Sequence, residues 1–310
     1  MALHQTSGRW RLGLLLALVT AGCWATLPAA LKITLEQLDP ITLTWFRFVV
    51  ATVVLLLWLS ARGGLGAYRA LDGKRWLWLA LAALMLIGNY VFYLLGVERT
   101  TPGNAQLLIQ LAPLLVALAG VLIFRETYRL GQWCGLAIIA AGLLLFFRDQ
   151  LRDGNAAPHD YLIGSGFVIF AALVWAIYAV LQKQLLQHLG SPAILLFIYA
   201  AASVALLPWS HPAALLTLDG KHWLGLAYCA INTLVAYGAF AEALEHWEAS
   251  RISPIFATTP LLTLGVIALV HAWSPGLIAA EHVSALGYLG AVAVVAGSAM
   301  SSLLGNRKKA

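Results

Sequence analysis

"AGCWATLPAALK", residues 21–32, and "ALVWAIYAVLQK", residues 172–183, each place a tryptophan and, eight positions later, a lysine inside an otherwise apolar run. The coincidence extends well beyond these two stretches. Trp24 and Lys32 recur as Trp175 and Lys183 at an offset of 151, and Pro40 recurs as Pro192 at 152. Tyr90, Glu98 and Pro113 recur as Tyr237, Glu245 and Pro260 at 147. Glu126, Gly135 and Gly142 recur as Glu281, Gly290 and Gly297 at 155, the added residues falling in "HAWSPGLIAAEH". Offsets that change only at loops are what a duplicated unit shows.

The composition says what kind of unit is duplicated. Of the chain's residues 61% are hydrophobic and only 10% charged, with mean hydropathy +0.84, whereas soluble domains are roughly half apolar and about a quarter charged. This is an integral membrane protein of all-α class. Apolar runs of about 20 residues, the length a spanning helix needs, lie near 12–31, 41–59, 76–97, 103–124, 131–147, 162–186, 192–209, 223–244, 252–273 and 283–304. Turn-formers such as "LDPI", "RGGLG", "TTPGN", "RDGNAAP", "GSP" and "SHP" separate them. Ten transmembrane helices are therefore expected, in two repeats covering 1–150 and 151–310. Five is odd, so the second repeat enters the membrane from the opposite side, the inverted plan of many transporters.

Lysine and arginine set the orientation. With a cytoplasmic N-terminus the outer loops hold Lys32, Arg99, Arg148, Arg152 and Lys221, Arg47 lies inside a span, and the other thirteen of the 19 basic residues fall inside. The positive-inside rule then places both termini in the cytoplasm. Arg9, Arg11 and "TAGC" resemble a cleaved lipoprotein signal, but the apolar run continues to Leu31, past the point where a signal peptide ends. The excess of basic residues is explained by topology, and no nucleic-acid partner is expected. Cys23, Cys134 and Cys229 form no metal-ligand spacing, and no metal or cofactor is expected.

Most of the twelve tryptophans lie near span ends, where aromatic belts form. Trp24 and Trp175 lie roughly 18–20 Å into a core about 30 Å thick, where an indole either lines a cavity or packs between helices. Lys32 and Lys183, about 12 Å further along, are charges at opposite membrane faces, gating or snorkelling. Gln106 and Gln110, at i and i+4, face one side of the fourth helix and suit either a zwitterion or a neighbouring helix. Asn89, Tyr90, Tyr93, Tyr178, Asn232 and Tyr237 add polar groups within apolar runs. Pro113 and Pro260 remove helical N–H groups and predict kinks that expose carbonyls at Ile109 and Phe256. Arg47 needs a partner or a wet cavity at its depth, with backbone carbonyls or an anion as the alternatives. The glycine rows 135/142 and 290/297 suit close packing, which makes the fifth and tenth helices scaffold.

Ten spans in two halves, "WFRF" early in the second span, the paired prolines and "FRETYRLGQWCGLAIIAAGLLL" closing the first half resemble the EamA-type drug/metabolite transporters. Leu286 departs from that pattern, standing where Gly131 predicts a glycine, and a longer loop precedes Glu281. Within the family the chain looks most like the aromatic amino-acid exporters of the YddG kind, found in bacterial inner membranes. That resemblance implies a multi-pass inner-membrane exporter of aromatic and other neutral amino acids. Its central cavity would be lined by helices 1–4 and 6–9, a monomer being sufficient. Drugs, purines or nucleotide-linked metabolites are the alternative cargo. An enzyme is not expected, because no cluster of Asp, His or Lys appears. The acids fall in loops or near span ends, which predicts export without obligatory proton coupling.

Overall fold

A computed structural model of the chain describes residues 8–124, 128–153, 157–247 and 249–304. Glu126, and Arg125, Arg307, Lys308 and Lys309 from the charge comparison, lie outside the described residues. Helices α1 (Trp10–Thr34), α2 (Pro40–Ala61), α3 (Gly73–Arg99), α4 (Pro102–Leu108), α5 (Leu111–Phe124) and α6 (Leu130–Asp153) make up the first half. The second half holds α7 (Pro158–Leu185), α8 (Ser191–Leu206), α9 (Gly220–His246), α10 (Ala249–Ala257), α11 (Thr259–Trp273) and α12 (Ala285–Leu303).

Seven of the described helices are long and apolar enough to cross a membrane, and shorter apolar helices accompany them. This differs from ten continuous spans because the fourth and ninth runs are each broken and the tenth forms a shorter apolar helix. The first break, at Ile109–Gln110, precedes Pro113; the second, at Thr258, precedes Pro260. Each proline withholds an N–H from the carbonyl four residues back, and a donor nearby in the chain satisfies it. The Ile109 carbonyl accepts from Ala112 N at 2.9 Å, and that of Phe256 from Thr259 Oγ1 at 2.7 Å. Freed carbonyls at membrane depth require such replacements.

Helix starts repeat as well. Asp72 caps α3 by accepting from Arg75 N at 2.9 Å, and Asp219 caps α9 by accepting from His222 N at 2.9 Å. "LDGK" at 71–74 and 218–221 thus carries the duplication into the loops, at the 147 offset that relates Tyr90 to Tyr237. An N-cap carboxylate satisfies otherwise orphaned N–H groups of the first turn.

The packing exchanges partners between the halves. The α3 helix packs along α7, while its counterpart α9 packs along α1; α2 meets its counterpart α8, and α6 meets α12. A two-fold relation between the halves generates this pattern. Along the α6–α12 seam the backbones touch. A Cβ on Gly142 would lie 2.6 Å from the Gly290 carbonyl oxygen, and one on Gly290 would lie 2.7 Å from that of Gly142. Gly135 and Gly297 meet in the same way, so small residues let these two helices lock together. Leu57, Leu84, Leu144, Val204, Leu224 and Leu269 are exposed on the outside, as a lipid-facing surface requires.

Candidate functional site

The exchange of partners carries the two intramembrane tryptophans to matching neighbourhoods. Trp24 on α1 meets Tyr237 edge-on at 6.1 Å, Phe240 at 5.7 Å and Phe256 at 5.0 Å, rings supplied by α9 and α10. Trp175 on α7 packs against the core cluster that contains Tyr90, Tyr178 and Tyr199. Tyr90 is the repeat counterpart of Tyr237, so each indole lies beside the helix that carries the matching tyrosine. Aromatic pairs at these distances gain about 0.5–1.5 kcal/mol beyond area burial.

The amides that are candidates for a substrate site bond to neighbouring helices. Asn89 Nδ2 donates to the Ala171 carbonyl at 3.0 Å, joining α3 to α7. Asn232 Nδ2 donates to the Cys23 carbonyl at 2.8 Å, joining α9 to α1. The Tyr93 hydroxyl donates to Gln106 Oε1 at 3.0 Å, and Gln106 Nε2 donates to Thr259 Oγ1 at 3.3 Å, linking α3, α4 and α11. Gln106 and Gln110 do not share one helical face: the break before Pro113 ends α4 at Leu108 and puts Gln110 in the turn. Pro113 is exposed and Pro260 buried.

Arg47, only 2% exposed, lies among these residues. Its Nε donates to Thr233 Oγ1 at 3.0 Å, and its guanidinium carbon sits 5.0 Å from the centroid of Tyr90. Thr233 donates its own proton to the Cys229 carbonyl at 2.9 Å, which leaves its oxygen free to accept from Arg47. Tyr90 is held in turn by Phe48, 4.7 Å away between centroids.

At the end of the bundle where α1 and α3 finish, Lys32 Nζ donates to the carbonyls of Val97, Glu98 and Thr100 at 2.9, 2.8 and 2.9 Å. The first two are last-turn carbonyls without helical donors and the third belongs to the residue that caps α3; a cation there also complements the helix dipole. Lys32 therefore ties α1 to the end of α3 rather than reaching into headgroups. Lys183 is exposed near the end of α7. Beside Lys32 lies a cavity of about 390 Å³ lined by Glu98, Arg99, Thr101, Asp160 and Glu281, among others. Glu281, from the loop before α12, accepts from Gly103 N at 2.8 Å through Oε1. Its Oε2 is shielded from solvent and has no hydrogen-bond partner. Burial pushes the carboxyl up to about 7, moderated by the Gly103 N–H, the Thr101 hydroxyl and the Lys32 ammonium. Sequence alone gives Glu281 no role; its one signal there is the repeat match to Glu126.

The family model described as "EamA-like transporter family" matches the chain twice, over residues 11–148 and 162–303. An uncharacterized inner membrane transporter of Escherichia coli K12, YhbE, is 39% identical over 96% of this chain and 92% of its own length. An uncharacterized transporter of Haemophilus influenzae is 33% identical over 94% of this chain and 95% of its own. A probable amino-acid metabolite efflux pump of Escherichia coli K12 is more distant, 23% identical over 91% of this chain and 92% of its own. One crystal structure resembles the chain with a TM-score of 0.65 at 19% identity, over 99% of this chain and all of that one, a likeness of fold.

Proposed function

Since the chain belongs to the EamA-like transporter family, as a multi-pass inner-membrane transporter and not an enzyme, we propose that it exports amino acids, aromatic and other neutral ones, by alternating access between its halves. The observation that carries this reading is the pair of aromatic neighbourhoods, Trp24 with Tyr237 and Trp175 against the cluster that holds Tyr90, each built by helices of both halves. Such surfaces suit amphipathic solutes of ring size. Similarity to the probable amino-acid metabolite efflux pump supports the same cargo.

In this reading the chain crosses the bilayer ten times, α4 with α5 and α10 with α11 each forming one broken crossing. The halves 1–150 and 151–310 are inverted, and both termini are cytoplasmic. Trp24, Asn89, Tyr90, Tyr93, Gln106, Gln110, Trp175, Tyr178, Asn232 and Tyr237 surround the solute's path. Pro113 and Pro260 mark the hinges, and Lys32 and Lys183 anchor the two ends. A single chain suffices and no cofactor takes part.

The test is counterflow of labelled amino acids in liposomes containing the purified protein. Saturable exchange of phenylalanine, tryptophan or other neutral amino acids is expected. Exchange of purines, drugs or nucleotide-linked metabolites without amino acids would replace the cargo, and non-saturating flux would replace the carrier by a channel.

A further inference from the structure

Arg47 presents more hydrogen-bonding capacity than the fold uses. It lies seven residues, about 10 Å, into α2 and is 2% exposed. A guanidinium carries five N–H donors. Nε–H bonds Thr233, one face lies over Tyr90, and the four Nη donors have no hydrogen-bond partner among the described residues. No carboxylate lies within 4 Å of it among those residues. A charge at this depth is expensive unless it is paired or serves a path through the protein.

A second unpartnered group is linked to it through the rings of Tyr90 and Phe48. The 152 offset that relates Pro40 to Pro192 puts Tyr199 of α8 at the place of Arg47 in α2. Tyr199 stacks on Phe48, the neighbour of Arg47, at 5.3 Å and 23°, and is 1% exposed. Its hydroxyl is buried with no partner at ordinary hydrogen-bond distance, and the phenol of Tyr90 lies beside it. Where the halves meet, one thus supplies a cation with idle donors and the other a neutral phenol with an idle hydroxyl.

We propose that Arg47, assisted by the Tyr199 hydroxyl, binds the carboxylate of the transported solute, so that the carrier selects organic acids and zwitterions by their carboxylate and not by their amine. The proposal deepens the export reading and rests on its placing the solute between the halves. A guanidinium fork matches a carboxylate with two parallel hydrogen bonds. One positive charge neutralises one carboxylate, whereas a phosphate dianion would leave a negative charge uncompensated in a membrane interior. An ammonium would find aromatic faces here and no acid among the described residues, so it contributes less to recognition.

The experiment is counterflow of labelled L-phenylalanine in proteoliposomes, challenged with 3-phenylpropionate, phenethylamine and phenylalaninamide. The expected result is strong competition by 3-phenylpropionate and weak competition by the two compounds lacking a carboxylate. Arg47→Gln should weaken the acid's competition about ten- to hundredfold, the range for a lost charge-assisted pair. Arg47→Lys, which keeps the charge without the fork, should fall between and serves as the second variant if Arg47→Gln does not fold. Equal competition by acid and amine, or unchanged acid competition in Arg47→Lys, overturns the proposal while leaving amino-acid export standing. If phenylalanine is not exchanged, the export reading fails on that substrate, and the Arg47 assignment is read from thermal stability. Protection of the wild type, but not of Arg47→Lys, by 3-phenylpropionate over its amide sustains it, and equal protection by the two compounds refutes it.

Discussion

Replacing Glu281 by Gln removes a titratable group from the end of the bundle that the proposed topology places outside. In the structure the Glu281 carboxyl at this end is held against Gly103 and buried, an arrangement treated as the closed one, and burial pushes its ionisation from an ordinary 4.5 to about 7. Opening the end hydrates the carboxyl and returns it to its ordinary range. The closed arrangement therefore binds the proton more tightly, and acid favours closing. Below about pH 4.5 both arrangements are protonated and closing carries no ionisation cost; the cost grows between about 4.5 and about 7 and is complete above that. At about 1.4 kcal/mol per unit, the full cost is roughly 3 kcal/mol.

Other charges face the same cavity: Lys32 from α1, Glu36 from the following turn, Glu98 and Arg99 from the end of α3, and Asp160 from α7. All of them remain in Glu281→Gln, whose amide oxygen still accepts from Gly103 N. The assay places a cysteine at Ile278, buried in the cavity wall, in a parent chain with Cys23, Cys134 and Cys229 replaced. It is labelled from outside with an impermeant maleimide between pH 5.5 and 8. Thiolate fraction also rises with pH, so the readout at each pH is the labelling rate of the parent divided by that of its Glu281→Gln variant. This ratio is expected to climb roughly 30-fold across the range if the open form is the minor one. A flat ratio would refute the argument that Glu281 burial opposes closing.

Gly142→Val and Gly290→Val drive side chains into backbone at 2.6 and 2.7 Å and should destabilise the protein by about 1–3 kcal/mol each; Gly22→Ala, with nothing within 4 Å of its Cβ, should not, as thermal inactivation in detergent will read. Lys32→Met strips the donor shared by the Val97, Glu98 and Thr100 carbonyls and should cost about 1.5–3 kcal/mol, visible in the same melts and as faster hydrogen exchange at the end of α3. Trp24→Ala should weaken transport of ring-bearing solutes more than of glycine-sized ones, by about 0.5–1.5 kcal/mol for the lost ring contact; equal losses in proteoliposome flux would make Trp24 a packing residue.

What could be read in the chain and what could not divides along a physical line. Duplication shows at the level of residues, so the two repeats and the close-packing glycine rows of α6 and α12 are legible without coordinates, but not that the rows face each other. The prolines announce that α4–α5 and α10–α11 break, but each break falls before its proline because the deprived carbonyl lies four residues back. Hydrogen-bond partners are illegible: Asn232 finds Cys23 across 209 positions and Asn89 finds Ala171 across 82, and nothing local in either stretch foretells this. Glu281 reads as a loop acid until the fold closes over it. The unpartnered buried atoms then carry information that the satisfied ones do not. Among the described residues they include Thr44 Oγ1 on α2, Asn104 Oδ1 on α4, Tyr199 Oη on α8 and Asn232 Oδ1 on α9, and none on α6 or α12. Buried polar groups are ordinarily hydrogen-bonded, and the scaffold seam obeys that rule. The helical exceptions fall on α2, α4, α8 and α9, away from that seam, where a polar solute can supply the missing partners.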